Sequence, residues 1–272
     1  MKMFLFFLLL PLAAATQYGG MALSNPYSDF GAYSQKQTPV TSVMANPAAL
    51  ASLKNTTAAL RGERKFVLPE LGHYLALVVL PTTAGTFGLS GLYAGNIDYN
   101  ESELSIAYGR RLGDKVQAGL QFRYNSIHIS SGYGNASVVS AAAGIIFHAT
   151  DKLSAGFHVQ NPVPVYFGSN KIEKLPRQYS AGIGYEISGK VLTGFSIIKE
   201  DDQPVTVNAG MQYRITTAVQ VKAGISSAAS TAWFGAGFTL RSFNIDIFSH
   251  WHPQLGISPG ILLQWQLKRK AE

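Results

Sequence analysis

The chain has 272 residues, of which 47% are apolar and only 14% charged, with a formal net charge of +7 and no cysteine. Soluble domains carry about 25% charged residues, so this composition argues against an ordinary soluble protein. The absence of cysteine excludes disulfides, a thiol nucleophile, thiolate metal sites and an acylated lipoprotein. The basic residues are scattered, which places them at turns and interfaces and points away from a nucleic-acid partner.

Lys2 precedes an almost unbroken apolar run from Met3 to Leu12, and Ala13-Ala14-Ala15-Thr16-Gln17 supplies small residues for cleavage. This is the layout of a secretory signal peptide, assigned to residues 1–16. Its apolar run is too short to span a bilayer, which takes about 20 residues. Residues 17–54 are rich in Gly, Ser, Asn and Pro and show no strand alternation. Their small apolar residues, Val43, Met44, Ala48, Ala49 and Leu50, favour a segment tucked into a larger structure over a disordered lead.

From residue 55 to 268 the dominant signal has period two. Ala118, Leu120, Phe122 and Tyr124 alternate with Gln117, Gly119, Gln121, Arg123 and Asn125. The stretches Gln178 to Ile187 and Val205 to Arg214 repeat the pattern. Successive strand side chains point to opposite faces, so each stretch has one apolar and one polar face. No helical period interrupts the strands. No later apolar stretch approaches a transmembrane helix, and closed barrels are the only other way across lipid. Tight turns, such as Leu112-Gly113-Asp114-Lys115 and Ile187-Ser188-Gly189-Lys190, alternate with longer loops, notably Gln160 to Arg177. Outer-membrane barrels have short periplasmic turns and longer outside loops. Aromatics sit ahead of the tight turns at Tyr108, Phe147, Tyr185, Tyr213 and Phe238, and the last four close a Gly-x-x-aromatic motif. Aromatics at one depth make an interfacial girdle.

The expected fold is therefore all-β: a transmembrane antiparallel up-and-down β-barrel of about 14 strands, from near Thr56 to Leu267, with an N-terminal plug or hatch segment and a tail at 269–272. Its expected place is the outer membrane of a Gram-negative bacterium.

The predicted lumen-facing set includes Arg123, Glu186, Arg214 and Asp246, together with Glu103, Asn208, Gln212 and Lys222. Both charge signs are present, so these residues line either a polar channel or, as favoured here, an ion-paired interior, since buried charges need partners. His250 and His252 flank Trp251 and share parity with Asp246, but a metal site needs a third and fourth ligand. We read them as packing residues. His148 and His158 are expected at the interface near the Asp151-Lys152 turn. Ser249 and His250 are adjacent, so in a strand they point to opposite faces and cannot form a nucleophile–base pair. No catalytic constellation, cofactor site or metal site is expected.

Met44-Ala45-Asn46-Pro47-Ala48-Ala49-Leu50-Ala51 resembles the Asn-Pro-Ala-Gly-Leu-Ala element ahead of the first strand in FadL-like barrels, with Ala49 where glycine is usual. The run Tyr108 to Lys115, Asn161-Pro162-Val163-Pro164 with Leu175-Pro176-Arg177, and His252 to Gly260 resemble, in the same order, the PorV/PorQ-like branch of that superfamily. The resemblance implies a 14-stranded barrel with a plug containing Asn46, Pro47 and Leu50. It implies an accessory subunit of a larger outer-membrane protein machine, type IX-like, or alternatively a FadL-like channel for hydrophobic small molecules. A structural outer-membrane protein without cargo is a third alternative. The implied partners are outer-membrane lipid, a larger protein complex and a possible hydrophobic ligand.

Overall fold

The computed structural model describes residues 25–130, 134–167 and 173–267. The expected leader (1–16) and tail (269–272) lie outside the described residues. Sixteen strands follow in chain order: β1 Thr56–Arg64, β2 Gly72–Thr82, β3 Gly85–Gly95, β4 Tyr99–Leu112, β5 Val116–Ile129, β6 Gly134–His148, β7 Leu153–Gln160, β8 Val165–Phe167, β9 Glu173–Leu175, β10 Gln178–Glu186, β11 Val191–Glu200, β12 Thr206–Arg214, β13 Val219–Ser226, β14 Thr231–Leu240, β15 Phe243–His252 and β16 Gly256–Leu267. Fourteen of them close into one antiparallel barrel, and β8 and β9 form a separate hairpin. The barrel shuts where β1 pairs with β16, with Leu60 opposite Leu263. Among the described residues no helix is long and apolar enough to cross a membrane.

The alternation explains the wall. In β5, Leu120, Phe122 and Tyr124 are exposed on the outer surface, whereas Gln117, Gln121 and Arg123 are buried inside. The outer columns of the other strands are likewise exposed and apolar, including Leu89, Ile106, Ile183, Phe234, Ile247 and Leu263. An exposed apolar surface running around a closed barrel is matched to lipid, because each backbone polar group is already paired within the wall. Tyr185, Tyr213, Phe147 and Phe238 are exposed close to one rim, ahead of the tight turns. Near the opposite rim the outward residues change character abruptly. The cross-strand row Leu104–Tyr124–Val139 is apolar, and the next rows, Ser102–Ser126–Ser137 and Asn100–His128–Asn135, are polar. The lipid belt ends between them, so β4, β5 and β6 stand out of the membrane at the loop end.

The long loop after β7 is structured. β7 stops at Gln160, where Asn161-Pro162-Val163-Pro164 follows. Proline has no N–H to give to a ladder, so two prolines end the pairing with β6. Asn161 takes a left-handed conformation (φ 54°), which asparagine tolerates better than most residues. Its backbone N–H donates to the Ala141 carbonyl at 2.8 Å and its side-chain amide to the Pro176 carbonyl at 2.8 Å. The chain turns over the barrel mouth, and Phe167 and Leu175 of the β8–β9 hairpin pack on Ile127. Outside the lipid belt, Asp201 accepts from Lys174 Nζ at 2.7 Å and Arg177 Nε at 2.9 Å, fastening the hairpin to the loop after β11. The Arg177 guanidinium, assisted by Lys174, holds the Asp201 carboxyl down to about 2.

Candidate functional site inside the barrel

Residues 25–52 lie within the lumen, and Leu53 to Asn55 lead into β1. A short helix, α1 (Pro26–Asp29), starts at Asn25, whose side chain accepts from the Ser28 N–H. Two 3-10 turns follow, Val40–Met44 and Pro47–Ser52. The second is capped by Asn46, whose Oδ1 accepts from the Ala48 N–H at 3.0 Å, with Pro47 at the first helical position where its missing N–H costs nothing. The Asn46 amide also donates to the Phe157 carbonyl at 3.2 Å on the wall. Asn46, Pro47 and Leu50, singled out from sequence, are thus fully buried against the inner wall.

What receives them is glycine. Gly109, Gly119 and Gly144 stand opposite one another on β4, β5 and β6. A Cβ on Gly109 would come within 2.7 Å of Leu50 Cβ and 2.8 Å of the Pro47 carbonyl oxygen. One on Gly119 would collide with the Pro47–Ala48 peptide, and one on Gly144 with Asn46 Oδ1. A second row, Gly184–Gly194–Gly210–Gly224, runs across β10 to β13 and ends at Trp233 on β14. Aromatic rings lie against this row and its neighbours: Tyr33 on Gly156 and Gly182, Phe30 on Gly194 and Gly210, Trp233 on Gly210 and Gly224. The Gly-x-x-aromatic motifs have a physical sense here. The glycine faces inward and lets the lumenal segment approach the backbone, and the aromatic three residues on faces outward at the membrane interface.

Tyr27 is the deepest anchor of α1. Its ring is fully buried, stacks on Phe248 (centroids 4.7 Å, 11°) and meets Trp233 edge-on at 6.0 Å. Lys222 Nζ stands 4.8 Å from the ring centroid and is itself 3.5 Å from Asp246. Burial, with the nearby Asp246 carboxylate, pushes the Tyr27 hydroxyl up, so it stays neutral. Arg61 Nη1 donates to Ser28 Oγ at 2.6 Å, and the Asn25 amide donates to Glu63 at 2.7 Å. Glu186 accepts from Ser34 Oγ at 2.7 Å and from the backbone N–H groups of Gln35 and Lys36 at 2.8 and 3.0 Å.

Of the lumen residues expected from sequence, Asp246, Arg123 and Glu186 are therefore buried inside, and Arg214 is half-buried close to the turn end. Arg123 faces Glu103 at 3.8 Å. His250 Nδ1 lies 3.0 Å from Glu63. Among the described residues no group of three or more His, Asp or Glu is placed to hold a metal ion. The expectation for His148 and His158 is corrected: both face the lumen and are almost wholly buried, with His148 Nδ1 2.7 Å from Ser154 Oγ. They share inward parity with Ser140, Ala142 and Gly144 on β6 and with Ser154 and Gly156 on β7, which outweighs their proximity to the turn. Sequence reading did not find Tyr27, Phe30, Tyr33 or the glycine rows. The signal for the first three was a spacing of three between aromatics. The signal for the glycines was their shared parity across successive strands.

Burial pushes the Asp29 carboxyl from its ordinary 3.8 up to about 6, opposed by Arg61, the Asn25 N–H and Ser28. The folded state thus keeps a proton that the unfolded segment releases between these values, so α1 docks more tightly as pH falls from above 6 towards 4. Amide exchange of residues 27–33, corrected for its intrinsic pH dependence, should slow between pH 7 and pH 5, and Asp29→Asn should abolish that response.

Two neighbouring cavities lie among the described residues. A cavity of about 490 Å³ opens at the loop end, lined by polar and charged groups such as Arg61, Glu63, His73 and Glu200 and by apolar Phe66, Ile127, Phe167, Leu175 and Ile198. A smaller one of about 80 Å³ lies beside α1, lined mainly by Phe30, Tyr33, Met44, Leu192, Phe195 and Trp233. Pro26, Gln160, Gln178, Ile198 and Asn208 line both. The lower cavity also reaches Ile183, Phe195 and Ala209 of the outward columns. The wall offers only glycine there, at 184, 194 and 210, and Tyr33, Phe30 and Trp233 lie against it.

No protein-family model and no curated protein matches the sequence. Solved structures do. The chain is similar to the CymD monoaromatic hydrocarbon channel (TM-score 0.66, 12% identity, covering 85% of this chain and 93% of that one). It is similar to the toluene transporter TodX of P. putida (0.64, 10%, 86% and 95%). It is also similar to a Pseudomonas aeruginosa FadL homologue (0.58, 13%, 88% and 95%). The chain shares the barrel fold of these three proteins.

Proposed function

We propose that this chain is a non-enzymatic channel of a Gram-negative outer membrane that passes hydrophobic small molecules. The observation that supports this best is the pair of cavities with Pro26, Gln160, Gln178, Ile198 and Asn208 in common, which we read as a neck between a mixed, charged vestibule at the loop end and an apolar chamber beside α1. A hydrophobe gains from leaving water for the chamber at about 25 cal/mol per Å² of apolar surface buried. Residues 25–52 act as the plug, with Asn46, Pro47 and Leu50 seated on the Gly109–Gly119–Gly144 row. They close the direct route to the turn end, and the ladder joining β10, β11 and β12 beside the chamber is continuous.

Binding tests the reading. With Trp251→Phe and Trp265→Phe, Trp233 is left as the sole tryptophan and reports on the chamber. Toluene should quench or shift its emission saturably. Asn208→Trp cannot be used with that probe, but in calorimetry it should weaken toluene binding at least tenfold by filling the neck. Emission that changes only linearly with toluene, as for simple partition into detergent, would remove the chamber from the account.

One observation favours a second reading, the PorV/PorQ-like accessory subunit. From Gly134 to Ser140 no strand is hydrogen-bonded to the β7-side edge of β6 among the described residues, although β8 lies near it, and this stretch carries no charge or proline to guard it. Unguarded edges pair with strands of other chains. Co-purification of a stoichiometric larger membrane protein in mild detergent would support that reading.

A further inference from the structure

The two ends of the barrel differ in charge. At the turn end, Arg110, Arg111, Lys115, Lys152, Lys190 and Arg241 are all exposed. They belong to the β4–β5, β6–β7, β10–β11 and β14–β15 turns, which are spread around the circumference. Asp114 and Asp151 are the exposed acids among these same four turns. Each basic group lies just beyond the aromatics that mark the lipid boundary. Arg110 continues the outward column of Tyr108, Lys152 follows Phe147, Lys190 follows Tyr185, and Arg241 follows Phe238. At the loop end, by contrast, the rows beyond the apolar belt are Ser, Asn and His, and Glu70, Asp98, Glu200, Asp201 and Asp202 offset the basic residues there.

We propose that the turn end is a binding ring for anionic phospholipid headgroups of the adjoining leaflet. Three features carry this. Aromatic side chains prefer the headgroup boundary, with their apolar body in the acyl region and their polar edge in the interface. Lysine and arginine stems lie along apolar surface while their charges reach outward, which puts the cations at phosphate level. The cations sit on four of the six hairpin turns at this end, distributed around the circumference and not gathered on one side, with the β2–β3 and β12–β13 turns uncharged. An acidic protein partner would meet one side or the mouth, whereas a leaflet meets every turn at the same depth. The arrangement also gives the barrel an electrostatic polarity independent of any cargo, so the inference stands apart from the channel reading.

The test uses the full chain in nanodiscs of phosphatidylcholine containing one quarter phosphatidylglycerol. Lipids that remain on the protein after release into detergent are counted by native mass spectrometry. Phosphatidylglycerol should be retained at several times its share, and the excess should fall as salt is raised. Lys152→Gln with Lys190→Gln should lower the retained phosphatidylglycerol ratio about fivefold. The charge-matched loop-end pair Arg64→Gln with Lys199→Gln should leave it unchanged. Retention in proportion to the mixture, or an equal fall in both double variants, would overturn the proposal. A barrel that failed to fold would be recognised by losing its heat-modifiable migration, and the single variants would then be compared in the same way.

Discussion

Valine at position 119 should lift the lumenal segment off the wall and leave the barrel standing. A Cβ on Gly119 collides with the Pro47–Ala48 peptide, which is backbone and cannot rotate away. The wall cannot yield either, because β5 is paired on both sides, at Gly109 and at Gly144. Forced overpacking of this kind costs about 1–3 kcal/mol, and valine itself is at home in a strand, so the cost falls on the docking of the segment. The chain contains no cysteine, so Ala48→Cys provides a single thiol at a fully buried site. In that background Gly119→Val should raise the maleimide labelling rate roughly thirtyfold, which corresponds to about 2 kcal/mol. Labelling that stays slow would mean that residues 46–50 do not occupy the glycine row.

The second large effect is expected at Tyr27. Tyr27→Ala removes a ring that is stacked on Phe248, edge-on to Trp233 and beneath Lys222. Truncating a buried aromatic costs about 3–5 kcal/mol, and here the void would lie beside a buried Lys222–Asp246 pair that water would seek to hydrate. Residues 25–33 should leave the wall, and single channels in planar bilayers should show a several-fold rise in small-ion conductance. Tyr27→Phe keeps the ring and should conduct like the parent, since the hydroxyl is not what holds the segment. Equal conductance for Tyr27→Ala and Tyr27→Phe would mean that the Tyr27 ring does not anchor α1 to the wall.

The barrel itself was legible because its physics is periodic. Leu120, Phe122 and Tyr124 alternate with Gln121 and Arg123, and a closed wall turns that alternation directly into lipid and lumen faces. Strand number and the tight turns followed from the same rhythm, and the prolines at 162 and 164 stand where β7 ends. The interior was less legible. Asn46-Pro47 announces a capped turn by local chemistry, but nothing local to Tyr27 or Phe30 says which strands they meet. That information resides in glycines 109, 119 and 144, which lie far apart in sequence and become one row only after the strands pair. His148 and His158 show the same limit: nearness to a turn suggested the interface, and parity placed them in the lumen. The proposed channel function was not legible in the pattern, since a closed ion-paired interior and a vestibule with a chamber need the same alternating residues. The difference is set by how much of the lumen residues 25–52 fill.

Uptake by intact cells tests the central claim most directly. Gram-negative cells with a tight outer membrane, expressing this chain, should take up labelled toluene several times faster than cells carrying an empty vector. Cells expressing Asn208→Trp at equal level, with equal heat-modifiability of the barrel, should return to the empty-vector rate. Uptake by the parent protein no faster than in empty cells, or uptake that Asn208→Trp leaves untouched, would contradict passage of hydrophobic molecules through the two cavities.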